Sequence, residues 1–123
     1  MSTTVAADTG RRGEQIATDY LRQHGYEIES LNWRQGRYEL DIVARKWEVL
    51  HFIEVKTRKA NGLTPPEAAM TSQKQQALLH AARAYLAYSG WDGEVAFDLV
   101  AVDCHPDGSV TVRLIEQALE THW

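Results

Sequence analysis

Tyr38-Glu39-Leu40-Asp41-Ile42-Val43-Ala44 and Val49-Leu50-His51-Phe52-Ile53-Glu54-Val55-Lys56-Thr57 decide how this chain is read. Both are apolar, β-branched runs of strand length, joined by the short polar stretch Arg45 to Glu48, and together they predict a β-hairpin. Asp41, Glu54 and Lys56 interrupt these runs where packing alone favours Val or Ile. Successive side chains in a strand alternate faces, so Glu54 and Lys56 share one side, while Ile53 and Val55 pack on the other. If the neighbouring strand brings Asp41 alongside, two carboxylates stand where they can hold a divalent cation. Mg²⁺ takes oxygen ligands, typically one or two carboxylates with waters and phosphate oxygens. A metal so held activates water and neutralises charge on a phosphodiester, and a nearby lysine orients the water or stabilises the transition state. Taken alone, Glu-x-Lys is a weak motif and reads first as a surface ion pair worth about 0 to 1 kcal/mol.

The sequence on either side places these residues in an α/β domain. Ile16, Ala17, Tyr20 and Leu21 recur at helical spacing and predict a first helix from about Gly10 to His24, stopped by Gly25. Glu14 falls at the margin of that apolar stripe, either leaning toward the sheet or exposed in a first turn that favours acids. Tyr26 to Trp33 predicts the first strand, ahead of the hairpin. Ala60 to Pro66 is a loop by its Gly and Pro content. Glu67 to Met70 forms a helical turn, and Thr71 caps a second helix that runs to Tyr88 and stops at Gly90. A helix between strands implies a crossover, so Val95 to Asp103 should lie parallel to the Glu54 strand. Pro106-Asp107-Gly108 turns the chain into a last strand, Val110 to Ile115. The expected fold is a central mixed sheet of five strands flanked by helices, as one domain over 11–123 behind a flexible segment, 1–10.

Composition limits the function classes. The chain has 123 residues, 44% hydrophobic and 24% charged, ordinary for one globular domain. No apolar run approaches the ~20 residues of a membrane helix, and Met1 to Gly10 lacks the features of a signal peptide, so a cytoplasmic protein is expected. A single Cys104 excludes an internal disulfide and reads as a structural thiol at a strand end. No histidine has the spacing of a metal ligand set.

Net charge is −4, against nucleic acid as a partner, but the charge is polarised. Arg34 to Lys59 holds seven basic and four acidic residues, a local +3, whereas Ser89 to Trp123 holds one basic and seven acidic, a local −6. A basic working face, with Arg34, Arg37 and Arg58, and an acidic far face follow. Lys74, in the first turn of the second helix, stands where backbone N–H groups and a cation together favour phosphate. Trp33, Trp47 and Trp91 are either base-stacking or packing residues.

Gly13-Glu14-Gln15-Ile16-Ala17, the run from Asn32 to Ala44, and Phe52-Ile53-Glu54-Val55-Lys56-Thr57-Arg58 together resemble the YraN family of small bacterial proteins. The likeness continues through Pro66-Glu67-Ala68, Lys74, Ala82, Tyr85-Leu86 and Phe97 to Val102. The resemblance implies a restriction-endonuclease-like fold, similar to that of archaeal Holliday-junction resolvases. Their shared site, a helix Glu, a strand Asp and Glu-x-Lys, falls on Glu14, Asp41, Glu54 and Lys56. It implies Mg²⁺ or Mn²⁺ held by Asp41 and Glu54 with Glu14 as auxiliary ligand, and DNA, branched or structured, as substrate. Gln73 is a further candidate, since such nucleases often carry a Gln near this helix. Junction-cutting relatives resemble two-fold dimers, and Trp47 with the apolar tail Leu119 to Trp123 offers a contact for a homodimer. The chain departs from the family pattern at Leu40, where the superfamily has Pro, and at Ala96, where an Arg commonly precedes Phe-Asp. A noncatalytic module for nucleic acid or protein binding on the same fold stands as the alternative.

Overall fold

The computed structural model describes residues 5–60 and 64–119, with side chains from Gly10 onward. Among the described residues, two helices, a short 3₁₀ turn and five strands follow the expected order: α1 (Val5–Gln23), β1 (Glu27–Gln35), β2 (Tyr38–Lys46), β3 (Val49–Lys59), the 3₁₀ turn (Pro66–Ala69), α2 (Ser72–Ser89), β4 (Glu94–Cys104) and β5 (Val110–Ile115). The strands form one sheet in the order β1-β2-β3-β4-β5. Only β3 and β4 are parallel; the other neighbours are antiparallel. The parallel pair is the one that α2 connects, as a crossover requires.

The sheet is covered on both faces, which explains why successive residues in the middle of β2, β3 and β4 are buried rather than every second one. Phe52 and Leu99 face α2 and join a core with Leu78, Ala82 and Tyr85. Their chain neighbours Ile53 and Val100 face the other way and pack with Ala17 and Leu21 of α1. α2 starts where the sequence places it: the Thr71 hydroxyl accepts the Lys74 N–H at 3.2 Å, and Gly90 closes it in the left-handed conformation at φ 74°.

Several boundaries differ from expectation. α1 begins at Val5, five residues ahead of Gly10, because Val5-Ala6-Ala7-Asp8-Thr9 holds no Pro or Gly to break it. The hairpin turn is tighter than Arg45 to Glu48. Arg45 and Lys46 remain in β2, and only Trp47 and Glu48 turn, at φ 55° and 62°. Two successive left-handed residues are the hairpin turn whose twist matches the strands, here made without glycine. Trp33 meets Tyr85 edge-on, with centroids 5.2 Å apart, and the Trp91 indole donates to the Glu94 carbonyl at 3.0 Å, so both pack. Trp47 is 85% exposed. Leu119 is buried in the α2-side core rather than offered in an exposed tail, and 120–123 lie outside the described residues. Among the described residues no helix is long and apolar enough to cross a membrane.

Candidate functional site

β2 and β3 pair from Lys46↔Val49 as far as Ile42↔Ile53, and there the ladder ends. The next donor along β3, the N–H of Val55, is taken by the Asp41 carboxylate at 2.9 Å. A side chain thus substitutes for the missing backbone partner, and the two strands open around it. An acid suits this position because a partly buried N–H left without an acceptor costs about 1 to 3 kcal/mol. The bond also fixes the orientation of Asp41.

Glu54 meets Asp41 in this opening. It is only 14% exposed, and its Oε1 lies 3.2 Å from the Lys74 ammonium. Burial is the largest influence on its carboxyl, followed by the charge of Asp41 and a hydrogen bond shared with it; together they outweigh Lys74 and push Glu54 up to about 8. The two carboxyl groups therefore meet in the opening, and Glu54 holds its proton well above the ordinary carboxylate range.

Glu14 approaches from α1. Its carboxyl is raised by burial and then by Asp41, with an Asn32 hydrogen bond acting the other way. Gly13 permits the approach: a Cβ there would stand 1.7 Å from Thr57 Oγ1 and 2.9 Å from Thr57 Cβ. Lys56, two residues beyond Glu54 on the same side of β3, is exposed and lines a cavity with Glu54, Thr71 and Lys74. The cation that contacts Glu54 is Lys74 from α2 rather than Lys56 from its own strand, a pairing set by the crossover.

The expected nucleic-acid contacts divide. Arg37 lines a cavity with Glu54 and Lys74. Arg34 forms an exposed pair with Glu39 at 3.3 Å. Arg58 is committed to the fold: it donates to Asp103 at 2.7 Å and to the Thr64 carbonyl, tying the loop to β4. Burial raises the Asp103 carboxyl, but hydrogen bonds from Arg58 and Arg113 outweigh it and leave the pKa below the ordinary value. Gln73 is exposed in the first turn of α2.

Among the described residues no group of three or more His, Cys, Asp or Glu side chains is placed to hold a metal ion. Glu14 is thus not gathered with Asp41 and Glu54 into a three-carboxylate set. The two remaining acids fit a hard dication through their chemistry: they are oxygen donors that meet in one opening, and other ligand positions would be left to water and phosphate.

Sequence reading missed the buried pair of His51 and Asp98, 2.6 Å apart, with Asp98 also accepting the Gln117 N–H at 3.0 Å. His51 faces Tyr26 on the α1 side, across the sheet from Glu54, and the network anchors the end of β5. Tyr38 and His80, which wall the cavity beside Glu54, were missed as well, because they come together only through the packing of α2 on β2.

These features define a mixed α/β domain in which a split β-hairpin presents a carboxylate pair beside cationic side chains. The model of the uncharacterised protein family UPF0102 matches residues 13–102, and the chain belongs to that family. A UPF0102 protein of Porphyromonas gingivalis is 45% identical over 102 residues, covering 83% of this chain and 76% of the relative. One from Nitratidesulfovibrio vulgaris is 47% identical over 95 residues, 76% and 71% of the two chains. One from Chlorobium chlorochromatii is 35% identical over 118 residues, 94% and 92%. The matched segment holds Glu14, Asp41, Glu54, Lys56 and Lys74.

Proposed function

We propose that this protein is a Mg²⁺- or Mn²⁺-dependent nuclease that hydrolyses phosphodiester bonds, with DNA as substrate and a restriction-endonuclease-like site. The observation that carries the reading is the Asp41–Glu54 pair at the point where the β2–β3 ladder opens. Two partly buried acids set against each other are costly to fold around, and function accounts for them better than stability does.

Asp41 and Glu54 are the residues that would hold the cation, which supplies an activated water and neutralises phosphate charge when bound. Asp41 is held in place by the Val55 N–H, so its carboxylate needs no reorganisation. Glu14 adds negative potential behind Asp41 and holds a proton more readily than an ordinary carboxyl. Lys74 restrains Glu54 through their 3.2 Å contact. Lys56, exposed at the same cavity, is the group that orients the water or meets charge developing on phosphorus.

The Glu54–Lys74 contact supports a second reading, a noncatalytic nucleic-acid-binding module, because it gives the acid a partner without any metal. One assay separates the two: purified protein with labelled single strands, duplex, flap and four-way junction, in Mg²⁺, in Mn²⁺ and in chelator. A product that requires metal and disappears in Asp41→Asn supports the nuclease. Retained binding with no product on any substrate supports the module. Action on junctions further calls for a homodimer, and light scattering across a dilution series reads the mass directly; 13.9 kDa at every concentration, with and without junction, excludes it.

A further inference from the structure

A groove runs past the carboxylate pair, and its two ends differ in chemistry. The centre is a cavity of about 350 Å³ walled by Glu54, Lys56, Ala69, Thr71 and Lys74. Through Lys56 and Ala69 it continues into a cavity of about 390 Å³ that carries Arg58, Lys59, Pro65 and Pro66. No carboxylate is among the described residues of that wall, and Lys56 and Lys59 are exposed. This end suits phosphate.

Through Glu54 and Lys74 the centre continues the other way, into a cavity of about 340 Å³ bounded by Arg37, Tyr38, Glu39, Ala77, Leu78 and His80. The Tyr38 and His80 rings stand edge to face, 5.9 Å between centroids at 67°. Leu78 and Ala77 add apolar wall, while Glu39 and Arg37 place an acceptor and a donor at the rim. Apolar and aromatic surface with a few polar groups at the edge suits a planar base, whose faces stack and whose edge hydrogen-bonds. In a duplex the faces of a base are covered by its neighbours. A base enters such a cavity only after leaving the stack.

We propose that this groove binds a nucleic-acid strand with one unpaired base in the Tyr38/His80 cavity and the adjoining backbone along Lys74, Lys56 and Lys59. The substrate class is then a strand that is single-stranded at that nucleotide, such as a tail, flap or loop, rather than continuous duplex. The inference takes its ligand class from the nucleic-acid reading above and is independent of whether the bound strand is cut.

The test is fluorescence anisotropy on the full chain in chelator, with three labelled probes: hexathymidylate, a hexamer of abasic sites with the same phosphates, and a blunt duplex. Base stacking on an aromatic wall predicts that hexathymidylate binds about tenfold or more tightly than the abasic hexamer. Ala77→Leu, at an exposed position, fills the cavity, and His80→Ala removes one wall. Each should bring the two affinities together while leaving that of the abasic hexamer unchanged. Equal affinity of wild type for the intact and abasic hexamers overturns the proposal. So does duplex bound as tightly as the single strand, discrimination that survives Ala77→Leu, or no binding to any probe. Wild-type cleavage in Mn²⁺ is scored separately. Base discrimination without any product defeats the nuclease and leaves the base cavity standing; cleavage of duplex without base discrimination does the reverse.

Discussion

Gly13→Ala tests the contact that sets α1, and with it Glu14, against the sheet. In a helix interior, Ala is favoured over Gly by about 1 kcal/mol, so an unobstructed exchange stabilises. At Gly13 the added Cβ would stand 1.7 Å from Thr57 Oγ1, 2.9 Å from Thr57 Cβ and 3.2 Å from its Cγ2. Rotation about χ1 relieves the first contact but not the second, because Thr57 Cβ is fixed to the β3 backbone. α1 must therefore retreat, and overpacking of this kind costs about 1 to 3 kcal/mol. After the helix-propensity gain, a net loss of about 1 kcal/mol remains, a fall of about 3 to 6 °C in Tm for a chain of this size. Gly10 supplies the control on the same helix: nothing lies within 4 Å of its Cβ position, so Gly10→Ala should raise Tm. Thr57→Ala removes two of the three contacts and should recover part of the loss in the Gly13→Ala background, visible in a double-mutant cycle. Calorimetry on the four variants and wild type decides. A Gly13→Ala protein at least as stable as wild type, or no coupling to Thr57, refutes the close approach and the placement of Glu14 that depends on it.

The raised Glu54 carboxyl makes the metal-free protein pH-sensitive. Its folded value of about 8 lies above the ordinary 4.5, so the native state keeps a proton that the unfolded chain gives up. That stabilisation is complete below about pH 4.5 and is lost as pH rises toward 8, by at most about 1.4 kcal/mol per unit. Glu54→Gln should flatten the slope, and identical pH–Tm curves for the two proteins would remove Glu54 from the titration. Mn²⁺ should raise Tm at pH 8 by mass action; an equal shift in the Asp41→Asn, Glu54→Gln double variant would show that the ion binds elsewhere. Lys56→Ala should abolish turnover while affinity for nucleic acid stays within a few fold, since in the proposed reaction the lysine acts on charge that appears in the transition state; a variant that cuts at the wild-type rate excludes Lys56. Replacing Trp47-Glu48 by Asn-Gly should stabilise the hairpin by about 0.5 to 2 kcal/mol, because both positions hold positive φ that Asn and Gly adopt with less strain; chemical denaturation measures it, and an unchanged midpoint argues against that turn.

Local physics made much of the fold legible. Thr71 as a cap, Gly90 as a left-handed stop and the alternation of β3 are properties of a few adjacent residues, so the elements could be read in order. The parallel pairing of β3 with β4 followed from a helix lying between two strands, a constraint of connectivity. Asp41 and Glu54 stood out because each interrupts an apolar run. Their partners were not legible, because they depend on where other segments pack. Lys74 reaches Glu54 only because α2 crosses that face, and Asp41 accepts the Val55 N–H only because the ladder ends at Ile53. Arg58 looked like a free cation in a basic stretch and proved to be tied to Asp103, forty-five residues on. The sequence by itself determined the elements, their order and the acids of the candidate site, since period, caps and turns are encoded within a few residues. Tertiary structure alone decided which cation faces those acids, how the acids meet and what walls the groove beside them, because each is a contact between segments that only packing on the two faces of the sheet brings together.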